Sequence, residues 1–278
     1  MVSSAGGSVS RLRLVKLLFL LRHESELPPS KSYDFLPYLH GPFSFTLYRD
    51  LNMLSRQQLL HEPRRNTWSL TEGGRVEAGR LDVASCREVD RIAARYCSRT
   101  TPDLLNYIYS EYEWSATRSK KCRETSKPAT SKPTTVYTIG CGGTTVDGLI
   151  RTLIINQVER VVDVRSNPVS RVFGFHKSRL QHLLRKASIS YEHHPGLGIA
   201  QDDRFGTESP PARRRLLDRY AETTLAQEHA EVVEIAESSK SSHTALLCQE
   251  RDPEVCHRSR LADCIGSLSS LSVRHLRP

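Results

Sequence analysis

Five short apolar runs alternate with helical segments over the second half of the chain, and this alternation limits its possible folds more than any other feature. The runs are Val136–Ile139, Val161–Arg165, Ile189–His193, Ala245–Cys248 and Leu271–Leu276. Strands separated by helices at this spacing predict a mostly parallel, doubly wound α/β sheet. Right-handed crossovers would bring the carboxyl ends of the strands to one edge, where such sheets bind their ligands.

Polar and reactive residues gather at this predicted edge. They are Gly140–Gly143, Asp163, Arg165, Ser170, Arg171, His193 and the segment Cys248–Arg258. Asp163 and Arg165 leave their strand on the same face. Asp163 is therefore a candidate acid/base or, alternatively, an internal ion-pair partner of Arg171 or Arg258 that holds the loops. In the last segment, Asp252 is expected to cap a helix that begins at Pro253.

Three arginines at the edge, Arg165, Arg171 and Arg258, predict a clamp for a phosphate-bearing, nucleotide-like ligand. Guanidinium groups suit phosphate, and a glycine turn at a helix N-terminus offers backbone N–H donors to the same charge. The predicted ligand-binding residues are Gly140, Gly142, Arg165, Ser170, Arg171, Cys248 and Arg258.

The two thiols of the last segment allow three interpretations. Cys256, beside His257 and Arg258 at a helix start, is a candidate nucleophile with a favoured thiolate. Cys248, Cys256 and His257 would supply three metal ligands, but adjacent positions on a helix face apart, so neither a metal nor a cofactor is expected. In the third interpretation both thiols are small buried groups. Glu254, not arginine, stands six residues after Cys248, which argues against a phosphatase or rhodanese loop.

Glu250 is the further candidate for acid/base work, with His257 as its orienting partner or acid. Such chemistry on a glycosidic or phosphoester bond requires carboxylates and water at suitable spacing. The predicted catalytic residues are Asp163, Glu250, Cys256 and His257.

The first half of the chain predicts a separate, mainly helical domain over residues 11–114, after a frayed start at residues 1–10. A helix from Arg11, a second helix, a hairpin with its tip at His61–Thr67 and a third helix follow the order of a winged helix. Arg64 and Arg65 at the hairpin tip would meet DNA phosphates without reading sequence. A protein–protein module with a solvated basic turn is the alternative.

Residues 115–135 predict a linker, since they are rich in Ser, Thr, Lys and Pro without apolar periodicity. Lys120 and Lys121 could hold a nucleic-acid backbone, or the segment is only a solvated spacer. The net charge of +9 favours acidic partners, nucleic acid first. Seven cysteines without a disulfide spacing favour the cytoplasm, and no apolar run is long enough to predict a membrane span.

Parts of the first half resemble a known group. Lys16–Leu21, Tyr38–Phe45 and Trp68–Gly73 are similar to winged-helix domains related to the Panacea-like antitoxin group, over about Leu12–Arg80. The resemblance implies DNA binding or protein contacts and does not choose between them.

The second half resembles the family called domain of unknown function 488, over about Val136–Leu276. The motifs that carry the resemblance are Thr138–Gly140, Asp163–Pro168, Ser170–Arg171, Phe175, Leu247–Glu250 and Cys256–Arg258. It implies a small Rossmann-like α/β domain over residues 136–278, with its motifs at one edge and no settled reaction. Cys141 departs from the pattern, which usually has Tyr or Phe there.

Together these features predict a cytoplasmic protein whose winged helix docks on nucleic acid, most simply DNA, and whose second domain hydrolyses a bond in a nucleotide unit. N-glycosidic hydrolysis, in DNA repair or defence, is preferred because the edge offers carboxylates and an anion clamp but no evident metal cage. One alternative is a DNA-binding regulator that senses a nucleotide without catalysing a reaction. Another is an antitoxin-like module that binds a protein partner.

Overall fold

The chain divides into two compact units, Met1–Lys127 and Pro128–Pro278. The structure is a computed structural model that describes residues 1–119, 135–207 and 209–278. Lys120, Lys121 and most of the predicted linker lie outside the described residues. The first residues of that predicted linker pack with the first unit, because Ser115 and Ser119 are buried and the Tyr109 hydroxyl lies 2.9 Å from the Ser119 hydroxyl.

The N-terminal unit is a mixed α/β structure. Its helices are α1 (Arg11–Glu24), α2 (Phe45–Arg56), α3 (Glu72–Ala78), α4 (Val83–Tyr96) and α5 (Thr101–Glu111). Its strands are β1 (Ser8–Ser10), β2 (Leu36–Tyr38), β3 (Gly41–Phe43), β4 (Leu60–Arg64) and β5 (Thr67–Leu70). Each helix begins after a residue whose side-chain oxygen accepts a hydrogen bond from the first turn. These residues are Ser10, Ser44, Thr71, Asp82 and Thr100.

The N-terminal strands correct one expectation from the sequence. Residues 1–10 do not simply fray, because β1 pairs antiparallel with β5 and places Val9 opposite Trp68. Both side chains are buried, so the apolar contact compensates for ordering this short segment. Strands β5 and β4 form the predicted hairpin around Arg65 and Asn66, and Asn66 adopts the left-handed conformation that such turns favour.

The C-terminal unit contains a sheet in which, among the described residues, five strands all run parallel. They are β6 (Thr135–Gly140), β7 (Arg160–Asp163), β8 (Ser190–His193), β9 (Thr244–Cys248) and β10 (Ser272–Leu276). The strand order is β10-β6-β9-β7-β8. The helices are α6 (Val146–Ile155), α7 (Lys177–Lys186), α8 (Pro210–Glu222), α9 (Thr224–Gln227), α10 (His229–Ser239) and α11 (His257–Ser269).

The parallel sheet confirms the α/β fold that the sequence predicts, and it is consistent with a Rossmann-like arrangement. Every residue of the central strand β9 is fully buried, as expected for a strand covered on both faces. The carboxyl ends of β6, β7 and β9 lie side by side, because Gly140 pairs with Cys248 and Asp163 with Leu247. In the described part of the chain, no helix is both long and apolar enough for a bilayer.

Candidate functional site at the carboxyl end of β9

The chain changes direction sharply after β9. Cys248 ends the strand, and a single 3-10 turn, Pro253–Val255, precedes α11. Asp252 caps this turn by accepting a hydrogen bond from the Glu254 amide at 3.1 Å. The sequence correctly predicts a capped segment with Pro253 at its start, but the cap belongs to the short turn and the long helix begins only at His257.

Four potential ligand side chains converge at this corner. Side-chain atoms of Cys248, Glu250, Cys256 and His257 all lie within 4.8 Å of one another. The prediction that Cys256 and His257 face apart is wrong, because Cys256 precedes the helix in an extended conformation with φ −124° and ψ 136°. The argument against a metal site that rested on helical geometry therefore fails.

The cluster is tightly connected and largely shielded from solvent. The Cys248 and Cys256 thiols each lie 3.1 Å from the same carboxylate oxygen, Oε2 of Glu250, and donate to it. The Cys248 sulfur is 3.9 Å from Nδ1 and 3.8 Å from Nε2 of His257. Cys248, Cys256 and His257 are at most 1% exposed, whereas the Glu250 side chain is 20% exposed. Glu250 is therefore the solvent side of the cluster.

Glu250 carries the fixed negative charge of the site. Its Oε1 forms an ion pair with Arg204, the last residue of a 3-10 turn, Asp202–Arg204, between β8 and α8. Burial would raise the pKa of Glu250, but the charge of Arg204 and the two thiol hydrogen bonds outweigh it and lower the pKa to about 2. The carboxylate therefore stays ionised at neutral pH.

Cys256 has the opposite electrostatic environment from the one predicted for a nucleophile. Burial, together with a hydrogen bond to Cys248, raises the pKa of its thiol well above the usual value. Arg258 does not counteract this, because its guanidinium turns to the backbone and donates to the carbonyl oxygens of Glu250 at 2.5 Å and Arg251 at 3.0 Å. The thiol form is favoured, which weakens the case for a thiolate nucleophile.

Asp163 lies at the end of β7 with both carboxylate oxygens engaged. Arg165 donates to Oδ1 from its backbone amide at 3.1 Å and from Nε at 2.9 Å, and to Oδ2 from Nη2 at 2.5 Å. The Tyr191 hydroxyl donates to Oδ2 at 2.7 Å. The expected ion pair therefore exists, but the predicted partners Arg171 and Arg258 are wrong, because Arg165 is close enough to fold back onto the carboxylate.

The structure gives the three predicted clamp arginines separate surroundings. Arg165 is held by Asp163, and its Nη1 donates to the Phe175 carbonyl oxygen at 3.0 Å. Arg258 is fully buried. Arg171 is exposed on its loop, where the hydroxyl of Ser170 accepts from the Val172 amide. Arg165 and Arg258 thus hold neighbouring loops, and of the three predicted clamp arginines only Arg171 is exposed.

The glycine turn after β6 is used for close packing against the β9 loop. The amides of Cys141 and Gly142 donate to the carbonyl oxygens of Cys248 at 2.9 Å and Gln249 at 2.8 Å. A Cβ atom on Gly140 would lie 2.0 Å from the Glu250 carbonyl oxygen. These two amides are therefore committed to the backbone and not to an anion, and the glycines allow two backbone segments to touch.

Two residues that sequence reasoning missed complete the site. Arg204 neutralises Glu250, and Tyr191 completes the hydrogen bonding of Asp163. Tyr191 left a signal in the sequence, because it stands two residues before His193 in the predicted strand Ile189–His193 and so lies on the same face. Arg204 ends a short 3-10 turn in a stretch whose sequence has no periodic pattern, so nothing in the sequence indicates its partner.

Residues 145–265 match a family model described as Domain of unknown function DUF488. The match lies within the C-terminal unit and confirms the resemblance stated for that half of the chain. It includes Asp163 and the whole corner from Cys248 to Arg258, whereas Gly140 and Gly142 precede it. No curated protein and no solved structure is significantly similar to the chain. The winged-helix resemblance of the N-terminal unit stays a prediction.

Proposed function

We propose that this protein is a hydrolase that acts on a nucleotide unit of nucleic acid, in DNA repair or defence, with its reactive centre at the carboxyl end of β9. One observation carries the proposal: Glu250 presents an ionised carboxylate at the solvent side of a buried cluster of reactive side chains. Such a charge, fixed by Arg204 in poorly solvated surroundings, is the kind of preorganised group that stabilises a transition state.

The low pKa of Glu250 favours an electrostatic role. A carboxylate with a pKa of about 2 is a weak proton acceptor. It can still stabilise the positive charge that develops on the sugar when a glycosidic bond breaks. This agrees with the preference for N-glycosidic hydrolysis, although one premise of that preference, the absence of a metal-ligand set, no longer holds.

The other predicted catalytic residues take supporting roles in this proposal. His257 and Cys256 are buried behind Glu250, where His257 orients the cluster and the Cys256 thiol hydrogen-bonds the carboxylate. Asp163 positions Arg165 and the loop after β7, because its oxygens already accept hydrogen bonds from Arg165 and Tyr191.

The N-terminal unit is proposed to be a winged helix that anchors the protein on DNA in the cytoplasm. The β4–β5 hairpin supports this, because Arg64 and Arg65 are both exposed at its end. Exposed guanidinium groups on a hairpin suit phosphate contacts that position a protein without reading bases. Lys120 and Lys121 remain proposed backbone contacts from the linker.

An assay for released products tests the hydrolase proposal. Wild type, Glu250→Gln and Asp163→Asn are incubated with modified duplex DNA and with free nucleotides, and the products are identified by mass spectrometry. The wild type is expected to release a base, and Glu250→Gln to be slower by about 10²-fold or more, the usual loss for a preorganised electrostatic group. Saturable nucleotide binding without product would instead favour the sensing regulator.

A further inference from the structure

The side chains at the end of β9 include the donor types that bind zinc. Two thiols, one imidazole and one carboxylate lie together on a strand end, a loop and the first residue of a helix. Thiolate sulfur, imidazole nitrogen and carboxylate oxygen are the three ligand types of protein zinc sites. We propose that Cys248, Glu250, Cys256 and His257 form a binding site for one Zn²⁺ ion.

The distances between the donor atoms fit a tetrahedral ion. Bonds of about 2.3 Å to sulfur and about 2.0 Å to nitrogen or oxygen place tetrahedral ligand atoms roughly 3.3–3.8 Å apart. The observed separations are 3.1 Å from each sulfur to Oε2 of Glu250 and 3.9 Å from the Cys248 sulfur to Nδ1 of His257. These three separations differ from the tetrahedral values by a few tenths of an ångström, and all four donor atoms lie within 4.8 Å of one another.

His257 has the support that metal-bound imidazoles usually have. Its Nε2 lies 3.1 Å from the Val164 carbonyl oxygen, which accepts only if that nitrogen carries the proton. The lone pair of Nδ1 is then free to bind the ion. The Tyr220 ring packs at 5.2 Å in an edge-on orientation and fixes the plane of the imidazole. The Val164 carbonyl oxygen is the outer partner that sets the tautomer of a metal-binding imidazole and the direction of its free lone pair.

The charges of the site also balance around a divalent ion. Two thiolates and one carboxylate against Zn²⁺ leave one net negative charge, and Arg204 beside Glu250 supplies the compensating positive charge. Without an ion, both buried thiols donate to one carboxylate oxygen. Zinc would replace these two thiol protons, which leave to solvent as the ion binds.

The ligand types favour zinc over hard cations, and the burial pattern provides a route for entry. Mg²⁺ and Ca²⁺ prefer all-oxygen sites, whereas two sulfur ligands favour softer metals.

Glu250 is the partly exposed ligand, and its partner Arg204 is 25% exposed. An ion would therefore enter from the Glu250 side. The zinc site follows from the ligand geometry and not from the proposed hydrolysis, but it uses the same Glu250 carboxylate, so a bound ion would take up the charge on which that hydrolysis depends.

Metal analysis of the full-length protein tests the zinc site. The chain is purified under reducing conditions without chelators, and its metal content is measured by mass spectrometry. We expect about one zinc ion per chain in the wild type and a loss of zinc affinity of about tenfold or more in Cys248→Ser and Cys256→Ser, since removing even an outer-shell partner of a ligand costs about 10–100-fold. Cys141→Ser is the matched control, because Cys141 is also buried in this unit but its sulfur lies against Gln249, 3.3 Å from Oε1. That variant should keep its zinc.

Cobalt titration keeps the test decisive if a serine variant fails to fold. Wild-type protein is stripped of metal, its fold is checked by circular dichroism, and Co²⁺ is added. Thiolate-to-cobalt charge-transfer bands and tetrahedral visible bands should rise to saturation at about one ion per chain. A folded, reduced protein that yields neither zinc nor these bands, or one whose metal is lost in Cys141→Ser and retained in Cys248→Ser, would overturn the proposal. Wild-type protein separates the two proposals: bound zinc without any released product would contradict only the hydrolase proposal, and product release without bound zinc would contradict only the zinc site.

Discussion

Lys16 lies in α1 with its side chain buried, and its ammonium group donates a hydrogen bond to the Pro42 carbonyl oxygen at 2.7 Å. Burial disfavours the charged form and lowers the pKa of Lys16 to about 7. A cavity beside it is lined by mainly apolar and aromatic side chains, among them Leu12, Val15 and Tyr48. Near neutral pH the side chain of Lys16 is therefore close to the midpoint between its charged and neutral forms.

The stability of the N-terminal unit should rise with pH because of Lys16. Between pH 7 and about 10 the unfolded chain, with an ordinary lysine, binds more protons than the folded one, so the free energy of unfolding increases by at most about 1.4 kcal/mol per pH unit. Lys16→Met should remove this slope. Urea unfolding at pH 7 and 9.5 measures it through Trp68 and Trp114, which both lie in this unit. An equal slope in wild type and variant would contradict the buried lysine.

Asp163 provides a second prediction for a single residue. Asp163→Asn should destabilise the C-terminal unit by about 3–5 kcal/mol, because it leaves the buried Arg165 without its charge partner. Tyr191→Phe removes one hydrogen bond to the same carboxylate and should cost about 1–3 kcal/mol. Denaturant unfolding followed by circular dichroism measures both. Unchanged stability in Asp163→Asn together with lost activity would indicate direct catalysis by Asp163 and contradict the positioning role.

At the scale of secondary-structure elements, the contact between the end of β6 and the loop after β9 decides the shape of the site. Gly140→Ala would push its Cβ into the Glu250 carbonyl, 2.0 Å away. We expect it to lose about 1–3 kcal/mol of stability through overpacking, and to bind zinc more weakly because the loop carrying Glu250 must move. Thermal unfolding and metal content measure the two effects.

Gly143→Ala is the matched control for the glycine turn. Gly143 has φ +73°, but the nearest atom to an added Cβ is Arg251 Cδ at 3.8 Å. Its substitution should therefore cost only the backbone strain, about 1–2 kcal/mol, and leave zinc binding intact. Equal effects of Gly140→Ala and Gly143→Ala on zinc would show that the close contact does not shape the site.

Helices and strands with a clear hydrophobic pattern could be predicted from the sequence, whereas backbone conformations that depend on tertiary contacts could not. The five C-terminal strands are apolar runs between helices, so their positions follow within a few residues and their shared edge follows from handedness. β1 escapes prediction because Ser8–Ser10 is a strand only through its pairing with β5. The extended backbone of Cys256 depends on the short turn before it, and this feature alone brings both thiols and His257 together.

The site shows the same limit at the level of side chains. Its residues could be gathered at one edge from sequence, but their partners could not be assigned. Arg258 could have pointed outward to a ligand, yet its buried guanidinium binds two loop carbonyls. Arg204 comes from a short 3-10 turn far along the chain from Glu250. A long flexible side chain such as arginine can reach several partners, and the hydrophobic periodicity of the sequence does not indicate which one it contacts.

At the scale of the whole molecule, the proposed division of labour places nucleic-acid binding in the N-terminal unit. Replacing both Arg64 and Arg65 by alanine should lower the dependence of log K on log salt concentration by about 2, because each phosphate contact contributes about 1. Fluorescence anisotropy with a labelled DNA duplex over a salt series measures this slope. The loss should be equal for unrelated duplex sequences, since phosphate contacts carry no base information.

A double variant of Arg80 and Arg87 is the control for the DNA measurement. Both side chains are exposed, at 70% and 69%, and form ion pairs outside the hairpin. Their removal changes the net charge by the same amount without altering the hairpin. Equal losses in the two double variants would show a general charge effect, and retained DNA affinity in Arg64→Ala/Arg65→Ala would contradict docking through the hairpin.

X-ray absorption spectroscopy at the zinc edge tests most directly whether the side chains at the end of β9 act as one centre. The purified full-length protein should show two sulfur atoms at about 2.3 Å and two nitrogen or oxygen atoms at about 2.0–2.1 Å from the zinc ion. Glu250→Gln should change only the nitrogen and oxygen shell. A spectrum without sulfur neighbours, or a protein without bound zinc, would contradict the central claim.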